Sequence, residues 1–214
     1  MGSVNFSCGQ ETPEAGYSPE RSVCHTRDVK TIGVIGARRA GCEIACAASL
    51  AGYHTVLEDL SPQLLEEGLS CIRGTFEGAV ARGTMQRVQT VEALAALSTA
   101  RSVEDTCRIA DFLIEAGPEE LEFKLEIFTL FDRFALPGAI LASNTSSLSI
   151  TDLAGITSRQ ENCVGFLFSS PVGKSKRVRI TRGLQTSDAT ISTCRELARR
   201  MGKDVEILSE SIHT

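Results

Sequence analysis

Two features of the 214-residue chain have the residue types and spacing to handle a nucleotide. The apolar run Thr31-Ile-Gly-Val-Ile35 ends in Gly36-Ala37-Arg38-Arg39-Ala40-Gly41, and Ala40 to Ala51 follows as a run of small residues with helical character. A glycine-rich loop between a strand and a helix aims backbone N–H groups and the positive end of the helix at a pyrophosphate. Gly36 permits the tight turn and Gly41 the close packing of helix on strand. Arg38 stands where such a loop has its middle glycine, so a Cβ and a long side chain enter the phosphate approach. Asp59 ends the next strand, 18 residues after Gly41. An acid there binds ribose hydroxyls and repels a 2′-phosphate, which favours NAD over NADP. Arg38 and Arg39 are alternative phosphate partners. Plainer readings stand beside these: a strand-to-helix turn with no ligand, and Asp59 as a capping residue ahead of Ser61-Pro62.

The other chemistry-bearing residues are less pointed. Gly173-Lys-Ser-Lys-Arg-Val-Arg179 carries four basic residues in its last six. It reads either as an anion site for ligand phosphates or as a solvated hairpin whose charges discourage edge pairing. Eight cysteines (Cys8, Cys24, Cys42, Cys46, Cys71, Cys107, Cys163, Cys194) include no CxxC pair. Cys42 and Cys46 fall four apart in the small-residue helix, which favours packing over metal binding, so no metal is expected. His25 lies in a polar N-terminal stretch, His54 at the start of a strand, and His213 one residue from the end of the sequence.

The elements that must position these residues alternate. His54-Thr-Val-Leu-Glu58, Asp111-Phe-Leu-Ile-Glu115 and Ala139-Ile-Leu-Ala142 read as further strands, with a weaker one near Leu94 to Leu97. Helices are expected from Ser61-Pro62 to about Arg82, near Val103 to Ile109, and over Glu119 to Phe134, where Leu121, Leu125, Phe128 and Phe131 form an apolar stripe. Two strands follow, Cys163 to Phe168 and Val178 to Thr181, with only a turn between them. A helix over Ser187 to Met201 and a strand Val205-Glu-Ile-Leu208 close the pattern. This rhythm predicts an α/β fold: a Rossmann-like, doubly wound, mostly parallel sheet with a short antiparallel extension. Residues 1–28 lack any apolar period and are expected to be a flexible tail ahead of one domain over 29–214.

Composition narrows the partners. With 22 Lys+Arg against 27 Asp+Glu, the net charge of -5 opposes binding to phosphate backbones or anionic lipid, so neither nucleic acid nor membrane is expected. The chain lacks Trp and has two Tyr, so stacking platforms for single strands are missing. Without a signal-peptide pattern or a long apolar run, the expected compartment is cytoplasmic with reduced thiols.

Five segments occur in order: Gly33-Val-Ile-Gly-Ala37, Gly52-Tyr-His-Thr-Val-Leu-Glu-Asp59, Glu115-Ala-Gly-Pro-Glu-Glu-Leu121, Ala142-Ser-Asn-Thr-Ser-Ser-Leu148 and Ser170-Pro-Val172. Together they resemble the N-terminal NAD-binding domain of the 3-hydroxyacyl-CoA dehydrogenase family, over roughly residues 30 to 210. The resemblance implies NAD-dependent oxidation of the 3-hydroxyl of an acyl-CoA, with NAD as cofactor. It places Glu115 and Glu119 near the nicotinamide end, Asn144 as a polar group on the cofactor side, and Ser146 beside the reacting carbon. The family's Gly-x-His-Phe-Phe-Asn-Pro reads here Gly165-Phe-Leu167-Phe-Ser-Ser170-Pro171, and the carboxylate that partners the His falls at Arg179. Both members of the catalytic dyad are therefore absent. In the family an all-helical domain follows; this sequence stops where that domain would begin, so the expected fold has no C-terminal helical domain.

Three functions remain open from the sequence. One is an NAD(H)-binding protein with impaired dehydrogenase chemistry, a pseudoenzyme taking an acyl-CoA-like small molecule. Another is an active oxidoreductase completed by self-association or by a separate chain supplying the helical domain. The third is a structural partner that binds no nucleotide, for which Arg38 is the argument.

Overall fold

Short runs of β-branched and aliphatic residues, each closed by a glycine, a serine cap or a charged residue, become the strands of one sheet. The computed structural model describes residues 26–169 and 175–210. Most of the expected tail, His25, His213, Cys8, Cys24 and the stretch from Ser170 through Lys174 lie outside the described residues. The strands are β1 (Thr31–Ile35), β2 (His54–Glu58), β3 (Leu97–Thr99), β4 (Phe112–Glu115), β5 (Ile140–Ser143), β6 (Cys163–Phe168), β7 (Arg177–Arg182) and β8 (Asp204–Ser209). The helices are α1 (Arg39–Leu50), α2 (Pro62–Ala81), α3 (Arg87–Ala95), α4 (Val103–Cys107), α5 (Leu121–Phe134), α6 (Ile150–Gly155) and α7 (Asp188–Arg200).

The strand order is β3-β2-β1-β4-β5-β6-β7-β8. Strands β1 to β6 are parallel, β7 runs antiparallel to β6, and β8 is parallel to β7. This is the doubly wound sheet with a short antiparallel extension that the alternation predicts. The order turns back between β1 and β4, which opens a crevice at their carboxyl ends where ligands of such sheets bind. One core, including Val34, Leu57, Ile72, Phe112, Ile114 and Phe166, lies on the face of the sheet covered by α1, α2 and α7. The other, with Ile35, Leu113, Phe128, Phe131, Leu141 and Leu153, lies under α4, α5 and α6.

Local sequence decides where helices begin. Ser61, Ser102, Ser149 and Ser187 each accept a first-turn N–H with the side chain, at the starts of α2, α4, α6 and α7. Each such cap contributes about 1 kcal/mol. The weak strand expected near Leu94 to Leu97 needs correction: Leu94 belongs to α3, and the strand is Leu97–Thr99. Three residues are too few to show a strand period, and the spacing through Val91, Leu94 and Ala95 is helical. Helices α3 and α6, nine and six residues long, are not among the elements expected from the sequence. Among the described residues no helix is long and apolar enough to cross a membrane.

Within the described residues, packing contacts extend N-terminal of Val29 to Arg27. The Arg27 backbone N–H donates to Thr193 Oγ1 at 3.0 Å, its Nη1 to the Gly138 carbonyl at 2.7 Å, and its Nη2 to Asn162 Oδ1. Arg27→Ala should therefore lower unfolding free energy by about 2 kcal/mol, since hydrogen bonds from a charged group are lost and the Asn162 oxygen loses a donor. Denaturant titration of the full chain checks this. An unchanged midpoint would return the domain edge to Val29.

Candidate functional site

Sequence and sterics fix the phosphate loop. Gly36 has φ 110°, a conformation that side chains resist, and a Cβ on Gly41 would lie 1.7 Å from the Gly36 carbonyl oxygen. The end of β2 holds this loop from the other side. Gly36 N–H donates to the Glu58 carbonyl at 2.8 Å, and Ala37 N–H donates to Asp59 Oδ2 at 2.7 Å. The other carboxylate oxygen of Asp59 accepts from Ser61 N–H at 2.9 Å. Asp59 is thus the turn residue ahead of Ser61-Pro62 and also a clasp on the loop. Each of its oxygens keeps acceptor capacity for a ribose hydroxyl.

Arg38 is exposed and precedes α1 with φ -76° and ψ -177°, ordinary extended backbone. The arginine in the middle-glycine position therefore strains nothing. Arg39 pairs with Glu43 at 3.1 Å, so Arg38 is the loop cation without a partner among the described residues.

On the far side of the crevice, Glu115 closes β4 with no exposed surface. Its Oε2 accepts from Lys124 Nζ at 2.6 Å and from Ser143 Oγ at 3.0 Å, and its Oε1 from Gly117 N–H at 2.6 Å. It is enclosed behind the crevice and does not line it. Lys124 is equally buried and lies 3.6 Å from Glu119 Oε2. Glu119 is the carboxylate that reaches the surface. Its Oε1 accepts from Thr145 Oγ1 and Ser146 N–H, each at 2.7 Å, and from the Ser146 hydroxyl at 3.1 Å. Partial burial alone would raise its pKa. Hydrogen bonds from Thr145 and Ser146, with the charge of Lys124, outweigh that and bring it down to about 2. Asn144 Oδ1 accepts from Phe168 N–H at 3.0 Å, tying the end of β5 to that of β6.

The position expected to hold the catalytic His is also defined. Leu167 on β6 lies directly opposite Arg179 on β7, and Arg179 lies opposite Glu206 on β8. Arg179 Nε approaches Glu206 Oε2 at 3.4 Å, with both side chains about two-fifths exposed. Ser146, Ser147, Arg179, Thr181 and Glu210 line one cavity of about 240 Å³. The fold thus brings Ser146, Leu167 and Arg179 into one neighbourhood, and it adds Glu206. His54, exposed and bonded to Ser98 at 3.1 Å, lies at the opposite end of the sheet. Ser170, at the family's Asn position, lies outside the described residues.

Three residues that matter here were not singled out from the sequence. Lys124 had a signal: it sits three residues after Leu121 and four before Phe128, a cation on the apolar stripe of α5. Glu58 had a weaker one, an acid closing an apolar strand. Glu206 had none, because the β7–β8 register gives it meaning.

A doubly wound sheet, a glycine-shaped loop at its reversal point and an acid at the end of β2 define a dinucleotide-binding domain. Residues 31–210 match the family described as 3-hydroxyacyl-CoA dehydrogenase, NAD binding domain, and the chain belongs to that family. It is 36% identical over 179 residues to 3-hydroxybutyryl-CoA dehydrogenase of Bradyrhizobium diazoefficiens, covering 84% of this chain and 61% of that protein. It is 33% identical over 180 residues to the mitochondrial hydroxyacyl-coenzyme A dehydrogenase of Sus scrofa, covering 82% and 57%. The crystal structure of (S)-3-hydroxybutyryl-CoA dehydrogenase from Ralstonia eutropha superposes with a TM-score of 0.83 at 32% identity, over 86% of this chain and 65% of that one. The chain thus spans about three-fifths of the length of these relatives. The cofactor of the domain is NAD, and the loop cradle, the acceptor capacity of Asp59 and the exposed Arg38 cation fit it.

The buried pair permits a direct test. Lys124→Met leaves the Glu115 carboxylate enclosed without its cation and should cost about 3–5 kcal/mol, whereas Lys124→Met with Glu115→Gln should recover much of that loss. Denaturant unfolding of both singles and the double gives the coupling. Additive losses would show that the pair acts independently.

Proposed function

We propose that the chain is an NAD(H)-holding member of the family whose own hydroxyacyl oxidation is impaired. The observation that carries this reading is the cross-strand row Leu167–Arg179–Glu206. Hydride leaves a carbinol carbon only as its hydroxyl proton is removed. An imidazole does this near neutral pH when a carboxylate orients it and stabilises its cation. Leu167 accepts no proton, Arg179 repels one, and Ser146 is too weak a base to substitute. A general base is worth about 10²–10⁴ in rate, so turnover should fall to a trace without vanishing.

In this reading Gly36, Gly41 and Arg38 hold the pyrophosphate, and Asp59 holds the adenine-side ribose. Glu119 and Asn144 stand beside the nicotinamide end, with Glu115 behind them, and the Ser146 hydroxyl, held by Glu119, stands beside the reacting carbon. NAD supplies hydride acceptance when bound. The names of the relatives support an acyl-CoA-like ligand, whose 3-oxygen fits the polar cavity between Ser146 and Arg179. A second reading, an active enzyme completed by another chain, draws on the intact Glu119–Ser146 hydrogen bonds.

Nicotinamide fluorescence should report NADH binding, with NADPH at least about tenfold weaker because Asp59 repels its 2′-phosphate. Equal affinities would remove that role from Asp59. Steady-state reduction of acetoacetyl-CoA by NADH tests the chemistry. The unaltered chain should give trace rates, and Leu167→His alone should add little, because its imidazole would face Arg179. Adding Arg179→Glu would set a carboxylate against Glu206, so the large gain, about tenfold or more, should need Leu167→His, Arg179→Glu and Glu206→Gln together. Robust turnover by the unaltered chain would favour the second reading.

A further inference from the structure

Glu58 is 3% exposed, and its Oε2 has no hydrogen-bond partner among the described residues. A buried carboxylate without a partner is strongly disfavoured, whereas the neutral acid is tolerated. Its place makes this consequential. Glu58 is the last residue of β2; its own carbonyl takes the Gly36 N–H, and the next residue, Asp59, takes the Ala37 N–H. Both bonds that hold the phosphate loop against β2 therefore start at or beside the buried carboxyl.

We propose that Glu58 is a proton-operated latch on the NAD site: the loop holds the cofactor while Glu58 is protonated and loosens when it ionises. Ionisation needs water or a counter-charge, but the residue is 3% exposed and no cation pairs with it among the described residues. Asp59 beside it is an acid, Ile35 of β1 opposite it is apolar, and Cys107 of α4 is a buried thiol. On that helix Glu104 and Arg108 are paired with each other at 3.4 Å. To hydrate the carboxylate, the end of β2 must shift, and with it the two acceptors of the loop. Burial, reinforced by the charge of Asp59, raises the Glu58 pKa to about 7, so the latch works in the physiological range. The sign follows from linkage. If the complex requires the proton, NAD affinity is constant below about pH 7 and falls above it, approaching tenfold per pH unit.

The test is NADH binding by nicotinamide fluorescence at pH 6 to 8.5, for the unaltered chain and Glu58→Gln, which keeps the shape and removes the charge. The unaltered chain should weaken by about tenfold or more between pH 7 and 8.5, whereas Glu58→Gln should stay flat within about twofold. Parallel pH curves would overturn the latch. If Glu58→Gln does not fold, the Glu58 side-chain carboxyl carbon signal in the labelled, unaltered chain decides. It should titrate near neutral pH and shift upward with saturating NAD+. Titration in the ordinary range for a glutamate, or a midpoint indifferent to NAD+, would overturn the proposal. Absence of NADH binding at every pH would instead refute NAD holding itself, a distinct outcome.

Discussion

A lysine ammonium with no exposed surface must find an anion inside the protein, and much of the ligand-facing end of this domain is arranged around that requirement. Lys124 projects from the core stripe of α5 onto Glu115, the last residue of β4, and Ser143 at the end of β5 completes the contact. One ion pair therefore fixes two adjacent strand ends and the helix that follows. Desolvation makes such a pair a poor source of net stability but a strict geometric constraint, because either partner alone would be a stranded charge. Glu119 inherits its position from it. Placed near Lys124 and bonded by the turn Thr145–Ser147, it carries the order of the buried pair to the hydroxyl of Ser146.

The other half of the crevice follows a steric rule. The 1.7 Å approach of a Cβ at Gly41 to the Gly36 carbonyl means that α1 can lie against β1 only with glycine there. The middle position of the loop has ordinary dihedral angles and admits arginine. The two glycines demanded by packing and turn geometry are present, and the one whose role is toward the ligand has been exchanged. Around Leu167 the strands pair without interruption, and one cross-strand row carries Leu167, Arg179 and Glu206 side by side. The sheet geometry is set by backbone pairing and packing, and it does not by itself dictate which side chains stand on that row.

The sheet was legible because its signals are local. Unbroken apolar runs marked β1, β2, β4 and β6, a serine-proline pair marked the start of α2, and a three-four spacing marked α5. What escaped was too short for a period, as with Leu97–Thr99 and α6, or too polar to show an apolar stripe, as with α3, or depended on partners distant in sequence. Among the candidate site residues, Gly36 and Asp59 stand out through the loop pattern, and Glu119, Asn144, Ser146, Leu167 and Arg179 through the family resemblance. That Asp59 clasps Ala37, that Glu115 turns inward, and that Glu206 answers Arg179 are facts of register and burial, which a linear string does not contain.

Arg27 carries a consequence of a different kind, for the order in which the protein is made. Its backbone bond to Thr193 spans 166 residues, and its side-chain bonds span 111 and 135. A chain emerging from the ribosome at about 5–20 residues per second leaves Arg27 waiting roughly 10–30 seconds for α7. Central strand β1 likewise waits for β4. The nascent chain is thus a half-sheet with open edges until β6, β7 and α7 appear, and closure of the Arg27 contacts is a late folding event with a large loop-closure cost.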